Sequence, residues 1–223
     1  MENNGIFDIE FALEILPDLL EGLWITVQAT FLGFALAVII GLAFALGRRS
    51  DQWWISQPIS VIVEFIRSTP LLVQLFFFFY LLPRYTGLRV PAFTLGVAAI
   101  GLHFGTYTSE VFRAGIEGVP LGQWEAATAL NFTVSQKWTR VILPQAIPPM
   151  IPVLGNYLIG MFKETAQLSA ITVVELMLTA RSIGTREFRF VEPITLAGML
   201  YFAVSYPSSL IMQRLEARFG RPH

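Results

Sequence analysis

Residues 23–46 carry no charged side chain, and that run constrains the fold more than any other feature of the chain. As a helix rising 1.5 Å per residue it extends roughly 36 Å, enough to cross a hydrocarbon layer about 30 Å thick with some tilt. Inside such a layer no water satisfies backbone N–H and C=O groups, and a helix is the single-segment solution because it bonds them internally. Four further stretches are long and mainly apolar, at about 55–82, 90–114, 141–162 and 193–213, the first two of them interrupted by Glu64, Arg67, Glu110 and Arg113. With 54% of residues hydrophobic and 14% charged, such stretches make up most of the chain. The expectation is one all-α integral membrane domain over residues 1–223, with five transmembrane helices behind an N-terminal segment at 1–22.

Composition removes several function classes. Cysteine is absent, which excludes disulfide frameworks and thiolate chemistry. The two histidines, His103 and His223, are too few for a paired-histidine metal helix, and no glycine-rich loop ending in Gly-Lys-Ser/Thr is present to cradle a nucleotide. A net charge of −1 offers no footprint for nucleic acid. The N-terminus MENNGIFDIEFALEILPDLLEG lacks the basic region of a cleavable signal, so the first span is expected to stay as an anchor in the lipid bilayer.

Basic residues beside the spans set orientation. The N-terminal tail has none, whereas Arg48 and Arg49, then Arg113, Lys137 and Arg140, then Arg214, Arg218 and Arg221 fall on one side under an odd number of crossings. That side is expected to be the cytoplasm, with the N-terminus outside. Arg84, Arg89, Arg181, Arg186 and Arg189 fit less well, and residues 165–190 are expected to dip into the membrane as a short helix followed by an external stretch. Within the spans, Thr69-Pro70 should kink the second. Gly101 and Gly105 have the spacing that lets another helix approach closely, and Pro144, Pro148, Pro149 and Pro152 should bend the fourth.

Residues 120–140 interrupt the apolar pattern. Pro120 suits a first helical position, LGQWEAATAL follows, Asn131 suits the left-handed residue that ends a helix, and Ser135 can cap a second short helix. By itself this reads either as a loop helix lying at the headgroups or as a small-residue surface open to a partner protein. The order Glu125-Ala126-Ala127, Asn131, Ile142-Leu143-Pro144 resembles the EAA loop of the membrane-spanning subunits of ABC importers. EFIRSTPLLVQLFF from Glu64, YTSEVFRAGIEGVPLGQWEAA from Tyr107, VILPQAIPPMIPVLGN from Val141 and FKETAQLSAI from Phe162 resemble its polar amino acid branch, which serves histidine, glutamate, glutamine, arginine and opines.

That resemblance implies a type I ABC importer permease of the MetI-like fold in a bacterial cytoplasmic (inner) membrane. It implies a cytoplasmic coupling helix whose Glu125, Ala126, Ala127, Leu130 and Asn131 dock on a separate ATPase subunit. ATP and magnesium bind that partner, and this chain needs no cofactor. A second permease subunit, identical or similar, and an external solute-binding protein complete the implied assembly. Asn131 stands where the family usually has glycine; asparagine tolerates the left-handed position, so the turn is expected to survive. His103-Phe104 is a second departure, in a region where many relatives carry small or amide residues.

An ionised group at the bilayer centre costs roughly 2.5–3.5 kcal/mol on insertion scales, so it faces protein, pairs, or lines a path. Glu64 with Arg67, and Glu110 with Arg113, are three apart and can pair along one helix face. Arg67 and Glu110 are also candidates to turn toward a cavity where Pro70 and Gly105 loosen the helices. Lys163 and Glu164 offer what a zwitterion needs, a cation for its carboxylate and a carboxylate for its ammonium. The resemblance adds Thr165 and Gln167, which match the KDTS-like stretch of relatives. A charged pair snorkelling at the surface is the plainer alternative. His103 and Tyr107, four apart, can face the same cavity, while Phe76 to Phe79 read as lipid and packing contacts. The expected function is ATP-driven import of a small polar zwitterion by alternating access, an amino acid first and ectoine or hydroxyectoine as the alternative. A lipid-modifying membrane enzyme would need carboxylates or histidines clustered at one interface. A self-sufficient channel or secondary transporter would work without an ATPase.

Overall fold

The computed structural model describes residues 7–87 and 89–219, and these are helical nearly throughout. Helix α1 runs Ile9–Arg48, α2 Trp53–Arg67, α3 Leu71–Thr86 and α4 Ala92–Glu117. They are followed by α5 Leu121–Ala129, α6 Val134–Ile171, α7 Leu176–Glu187 and α8 Val191–Phe219. Arg221 and His223 lie outside the described residues.

Helices α1, α6 and α8 are long and apolar enough to cross a membrane, and α2 with α3 makes a further candidate, bent by 103° at the break between them. Pro70, which lacks an N–H, opens α3 there, so the expected kink is a sharp corner. Helix α4 has 26 residues but falls below the apolarity of the others, diluted by His103, Thr106, Tyr107, Thr108 and Ser109. All of these except Tyr107 are buried. Protein surrounds α4 on this side, and its polar residues need no lipid-compatible surface.

Two helices differ from the sequence expectation in extent or shape. α1 begins at Ile9, well ahead of residue 23, because Asp8 caps it by accepting from the N–H groups of Glu10 at 3.0 Å and Phe11 at 3.2 Å. Ala12, Ile15 and Leu19 then bury that extension. The prolines do not interrupt the fourth span: α6 passes through Pro148, Pro149 and Pro152 as a continuous helix. Pro144 occupies one of the first two positions of its α-helical part, where a missing N–H costs little. A π turn over Trp138–Ile142 lies immediately upstream, and α6 ends in a 3-10 stretch over Thr165–Ile171.

The centre of the molecule is the pairing of α1 with α4, which run parallel. Ala29, Gly33, Ala37, Gly41 and Ala45, each four residues from the next, form a buried small-residue ridge on α1. Gly101 and Gly105 of α4 meet Leu36 and Ile40, where an added Cβ would lie 2.8 Å from a side-chain atom in each case. Thr108 Oγ1 crosses between the helices and donates to the Ala37 carbonyl at 2.8 Å. Around this pair, Leu71, Leu75, Ile100, Phe104, Met161, Leu168 and Ile171 form the main apolar core.

At the opposite end from Arg48, α1 is held to α7 and α8. Glu175, fully buried, caps α7 by accepting from Met177 N–H at 2.9 Å and Leu178 N–H at 2.8 Å, and also accepts from Tyr201 Oη at 3.0 Å. Thr26 Oγ1 completes the cluster by accepting from Leu176 N–H at 3.2 Å. Arg189 reaches Asp8 at 3.2 Å and Glu192 at 2.7 Å with its guanidinium 4.3 Å from the centre of the Phe11 ring.

Gly41→Leu is expected to destabilise the purified protein by roughly 1–3 kcal/mol or more, because a Cβ there would sit 2.9 Å from the Gly105 carbonyl oxygen and against Thr108. Gly198→Leu, where an added Cβ meets nothing within 4 Å, should leave the thermal transition in detergent unchanged within about 0.5 kcal/mol.

Candidate translocation site and coupling surface

The corner between α2 and α3 frees backbone carbonyls that a continuous helix would have used. Gln74, one turn into α3, collects them: its Nε2 donates to Ile66 O at 2.7 Å, Thr69 O at 3.1 Å and Thr69 Oγ1 at 2.8 Å. Its Oε1 lies 3.2 Å from Nδ1 of His103, which is 6% exposed. The His103 ring centre is 5.3 Å from that of Tyr107, which is 5.7 Å from that of Tyr157 on α6. Tyr107 Oη donates to Arg67 O at 3.4 Å and so returns to the corner. Three helices, α3 just after its break, α4 and α6, thus present amide, imidazole and phenol groups side by side.

Seven residues further along α4, roughly 10 Å at helical rise, Glu110 gathers arginines from three helices. Arg48 lies at 2.6 Å, Arg113 at 2.8 Å and Arg67 at 3.4 Å, with Glu110 22% exposed. Arg67 also pairs with Glu64 at 2.8 Å, and Arg113 with Glu117 at 2.6 Å. Arg67 and Glu110, read from sequence as groups that turn toward a cavity, are therefore matched by protein charges, and they fasten the ends of α1, α2 and α4 together.

The remaining sequence candidates sit elsewhere. Thr165 is fully buried and donates Oγ1 to Phe162 O at 2.6 Å, so its hydroxyl is occupied. Lys163 is exposed, and Glu164 and Gln167 are half-buried. Among the described residues no hydrogen bond or ion pair joins these three to the His103 column. Gln74 and Tyr157 escaped the sequence reading. Gln74 carried a weak signal, as a lone amide one turn after a proline in an apolar run; Tyr157 carried none. Among the described residues no cluster of His, Asp or Glu could hold a metal ion.

The loop after α4 builds a second surface. Helix α5 ends in a complete left-handed cap: Asn131 takes φ 56°, its N–H bonds Thr128 O at 2.9 Å, and Phe132 N–H bonds Ala127 O at 3.1 Å. The next turn is capped by Thr133, correcting the expectation for Ser135. Thr133 has extended backbone and exchanges two hydrogen bonds with Gln136, whereas Ser135 already lies in the first turn.

Residues 23–221 match the family described as the binding-protein-dependent transport system inner membrane component. The chain belongs to this family. It is 43% identical to a probable amino-acid ABC transporter permease protein of Sinorhizobium fredii, over 98% of this chain and 94% of the relative. It is 39% identical to an L-cystine transport system permease protein of Bacillus subtilis, over 92% of this chain and 88% of the relative. Among solved structures it is similar to the crystal structure of an amino acid ABC transporter with histidines, at 36% identity and a TM-score of 0.88 over 95% of this chain and 99% of that one. An inward-facing MetNI methionine ABC transporter, 20% identical with a TM-score of 0.68 over 91% of this chain and 98% of that one, shares the fold.

The chain is thus an all-α ABC importer permease, multi-pass in the inner membrane and not itself an enzyme; in such importers nucleotide binds the partner ATPase. In this permease, α5 turns Leu121 and Leu130 outward, with Val134 beside them, at 72%, 67% and 74% exposure. Glu125, Ala126 and Asn131 are exposed too, but Ala127 packs inward at 2%. Trp124 meets Trp138 edge to face at 5.3 Å, and both lie against Val111, Ile116, Ile142 and Ala146 of α4 and α6.

Glu110→Gln is expected to lower the stability of the purified permease by about 1–3 kcal/mol, since it removes the ion pair of half-buried Arg48 and leaves Arg67 and Arg113 to their second partners, Glu64 and Glu117. Glu117→Gln, at a 48%-exposed carboxylate, should cost less than about 0.5 kcal/mol in the same thermal assay.

Proposed function

We propose that this permease imports an amino acid, and that the Gln74, His103, Tyr107 and Tyr157 column contributes the contacts for its polar head. The column carries the reading: polar groups at mid-helix are expensive in a bilayer unless they serve a path or a packing role, and this set converges from three helices in a chain whose relatives are named for amino acids. Those relatives favour an amino acid over ectoine or hydroxyectoine. Lys163 and Glu164 turn outward from α6, and we assign them to the space between this subunit and a second permease, identical or similar, where they contact the carboxylate and ammonium of the same ligand. Gln167 lines the same space. Thr165 supports it from behind.

In this reading the N-terminus is outside and the C-terminus cytoplasmic. The exposed face of α5, with Glu125, Ala126, Leu130 and Asn131, docks on a separate ATPase subunit, and Ala127 anchors α5 to the permease. Closure of two ATPases on ATP drives alternating access, and an external solute-binding protein delivers the ligand.

Two experiments test this. Glu125→Lys should abolish co-purification of the ATPase and ATP-driven uptake into proteoliposomes, whereas uptake that persists without any ATPase would place the chain among self-sufficient carriers. In a competition panel of amino acids and ectoine on the reconstituted complex, Lys163→Ala and Glu164→Ala should each raise the half-saturating concentration by on the order of tenfold or more, the scale of one hydrogen bond to a charged group. Unchanged affinity in both removes them from the site.

A further inference from the structure

We propose that Gln74 positions His103 as a fixed Nδ1–H tautomer, so that Nε2 of the imidazole accepts a hydrogen bond from the ammonium group of the transported amino acid. The proposal rests on the amino-acid reading above and adds which atom reads which group.

The amide orientation of Gln74 follows from what surrounds it. Its nitrogen lies within 3.1 Å of two backbone carbonyls, Ile66 O and Thr69 O, which can only accept, and 2.8 Å from Thr69 Oγ1. Thr69 Oγ1 spends its own proton on Phe65 O and Ile66 O, both at 3.1 Å, leaving its lone pairs for Gln74. Reversing the amide would bring its oxygen against those carbonyls. The oxygen therefore points at His103 Nδ1, 3.2 Å away, and only an N–H satisfies it.

With the proton on Nδ1, a neutral ring has its lone pair on Nε2. A neutral ring fits its surroundings: the residue is 6% exposed, and its hydrogen-bond partner is an amide, not a carboxylate. Nε2 has no hydrogen-bond partner among the described residues. Ser205 Oγ is the fully enclosed side-chain N or O atom there that lacks one, so Nε2 is not sealed inside the protein. An acceptor open to space selects a donor. The Tyr107 ring beside it, with Tyr157 behind, adds aromatic faces that attract a cation. A primary ammonium satisfies both conditions, a carboxylate neither, and a quaternary ammonium only the second. Gln74 makes no ligand contact in this scheme and acts through His103.

The tautomer is read directly by 15N NMR of the full-length chain in nanodiscs, where His223→Asn leaves His103 as the single histidine. The expected result is the Nδ1–H form, shifting to Nε2–H in Gln74→Leu; an Nε2–H ring in the unsubstituted site overturns the proposal without any variant having to fold. Selectivity is read in ATP-driven uptake by the reconstituted complex, with L-arginine and L-cystine competing against their N,N,N-trimethyl derivatives. The complex should prefer the primary ammonium by on the order of tenfold or more. The preference should collapse to about twofold or less in Gln74→Leu and in His103→Phe. Normal uptake with an unmoved preference in both substituted forms overturns this proposal alone. Failure of the unsubstituted complex to take up any amino acid overturns the amino-acid reading, and the ammonium contact with it.

Discussion

The close parallel approach of α1 and α4 is the constraint from which the rest of the permease follows. Lipid tails are as apolar as the helix surfaces, so no hydrophobic force pushes these helices together; contact has to be made by shape and by interhelical hydrogen bonds. The ridge Ala29, Gly33, Ala37, Gly41, Ala45 supplies the shape, and Thr108 Oγ1 bonding to Ala37 O supplies the hydrogen bond. Because the two helices run parallel in this register, Arg48 at the end of α1 arrives at Glu110. A slip of one turn would separate that pair and leave Glu110 to its other two arginines. Packing register and charge pairing therefore specify each other, so both are needed for a single arrangement.

Embedding α4 in protein has a second consequence. It releases that helix from the requirement to be apolar, and Thr106, Thr108 and Ser109 are buried with their hydroxyls bonded to carbonyls. His103 is the exception, because its partner comes from a side chain across a gap. That side chain is available only because the backbone breaks at Pro70 and leaves Ile66 O and Thr69 O to be satisfied. Non-helical backbone at membrane depth is tolerated where protein or a cavity lines it. Here the broken corner and the polar column are one feature: the break positions Gln74, and Gln74 orients the imidazole.

Features whose cause is local were legible in the sequence. Apolar runs announced the membrane helices. Asn131 announced the left-handed end of α5, and Gly101 with Gly105 announced a close helix contact. Features whose cause is distant in the chain were not. The start of α1 at Ile9 depends on Asp8 as a cap and on burial by α7 and α8. The continuity of α6 through Pro148, Pro149 and Pro152 is not foreseen by counting prolines. Glu175 passed unnoticed among apolar neighbours, since its partners Thr26 and Tyr201 lie on α1 and α8. Gln74 and Tyr157 were missed for the same reason: one polar residue in an apolar window has no periodicity, and its meaning appears only when a second helix brings its partner. Ser135 suits a cap by residue type alone; extended backbone and the Gln136 partner give the role to Thr133.

The two surfaces of the permease, the α5 face and the His103 column, are joined by rigid parts. Trp124 packs α5 against Trp138 and the cluster of Ile142 and Ala146 at the start of α6 with Val111 and Ile116 near the end of α4, and Ala127 is buried beside it on α5. From Val111, α4 continues unbroken through Glu110 and Tyr107 to His103. A close-packed interior is nearly incompressible, so in the proposed coupling a push on α5 would reach α4 and α6 through this contact as movement of whole helices. Near the column the α2–α3 corner is a place where the helix is already broken, bent by 103°. Arg67, beside that corner, is tied to Glu110, and Gln74, just after it, is tied to His103. Motion of α4 relative to the corner must therefore either carry the corner along or break these two contacts, and the second of them is the one that orients the imidazole.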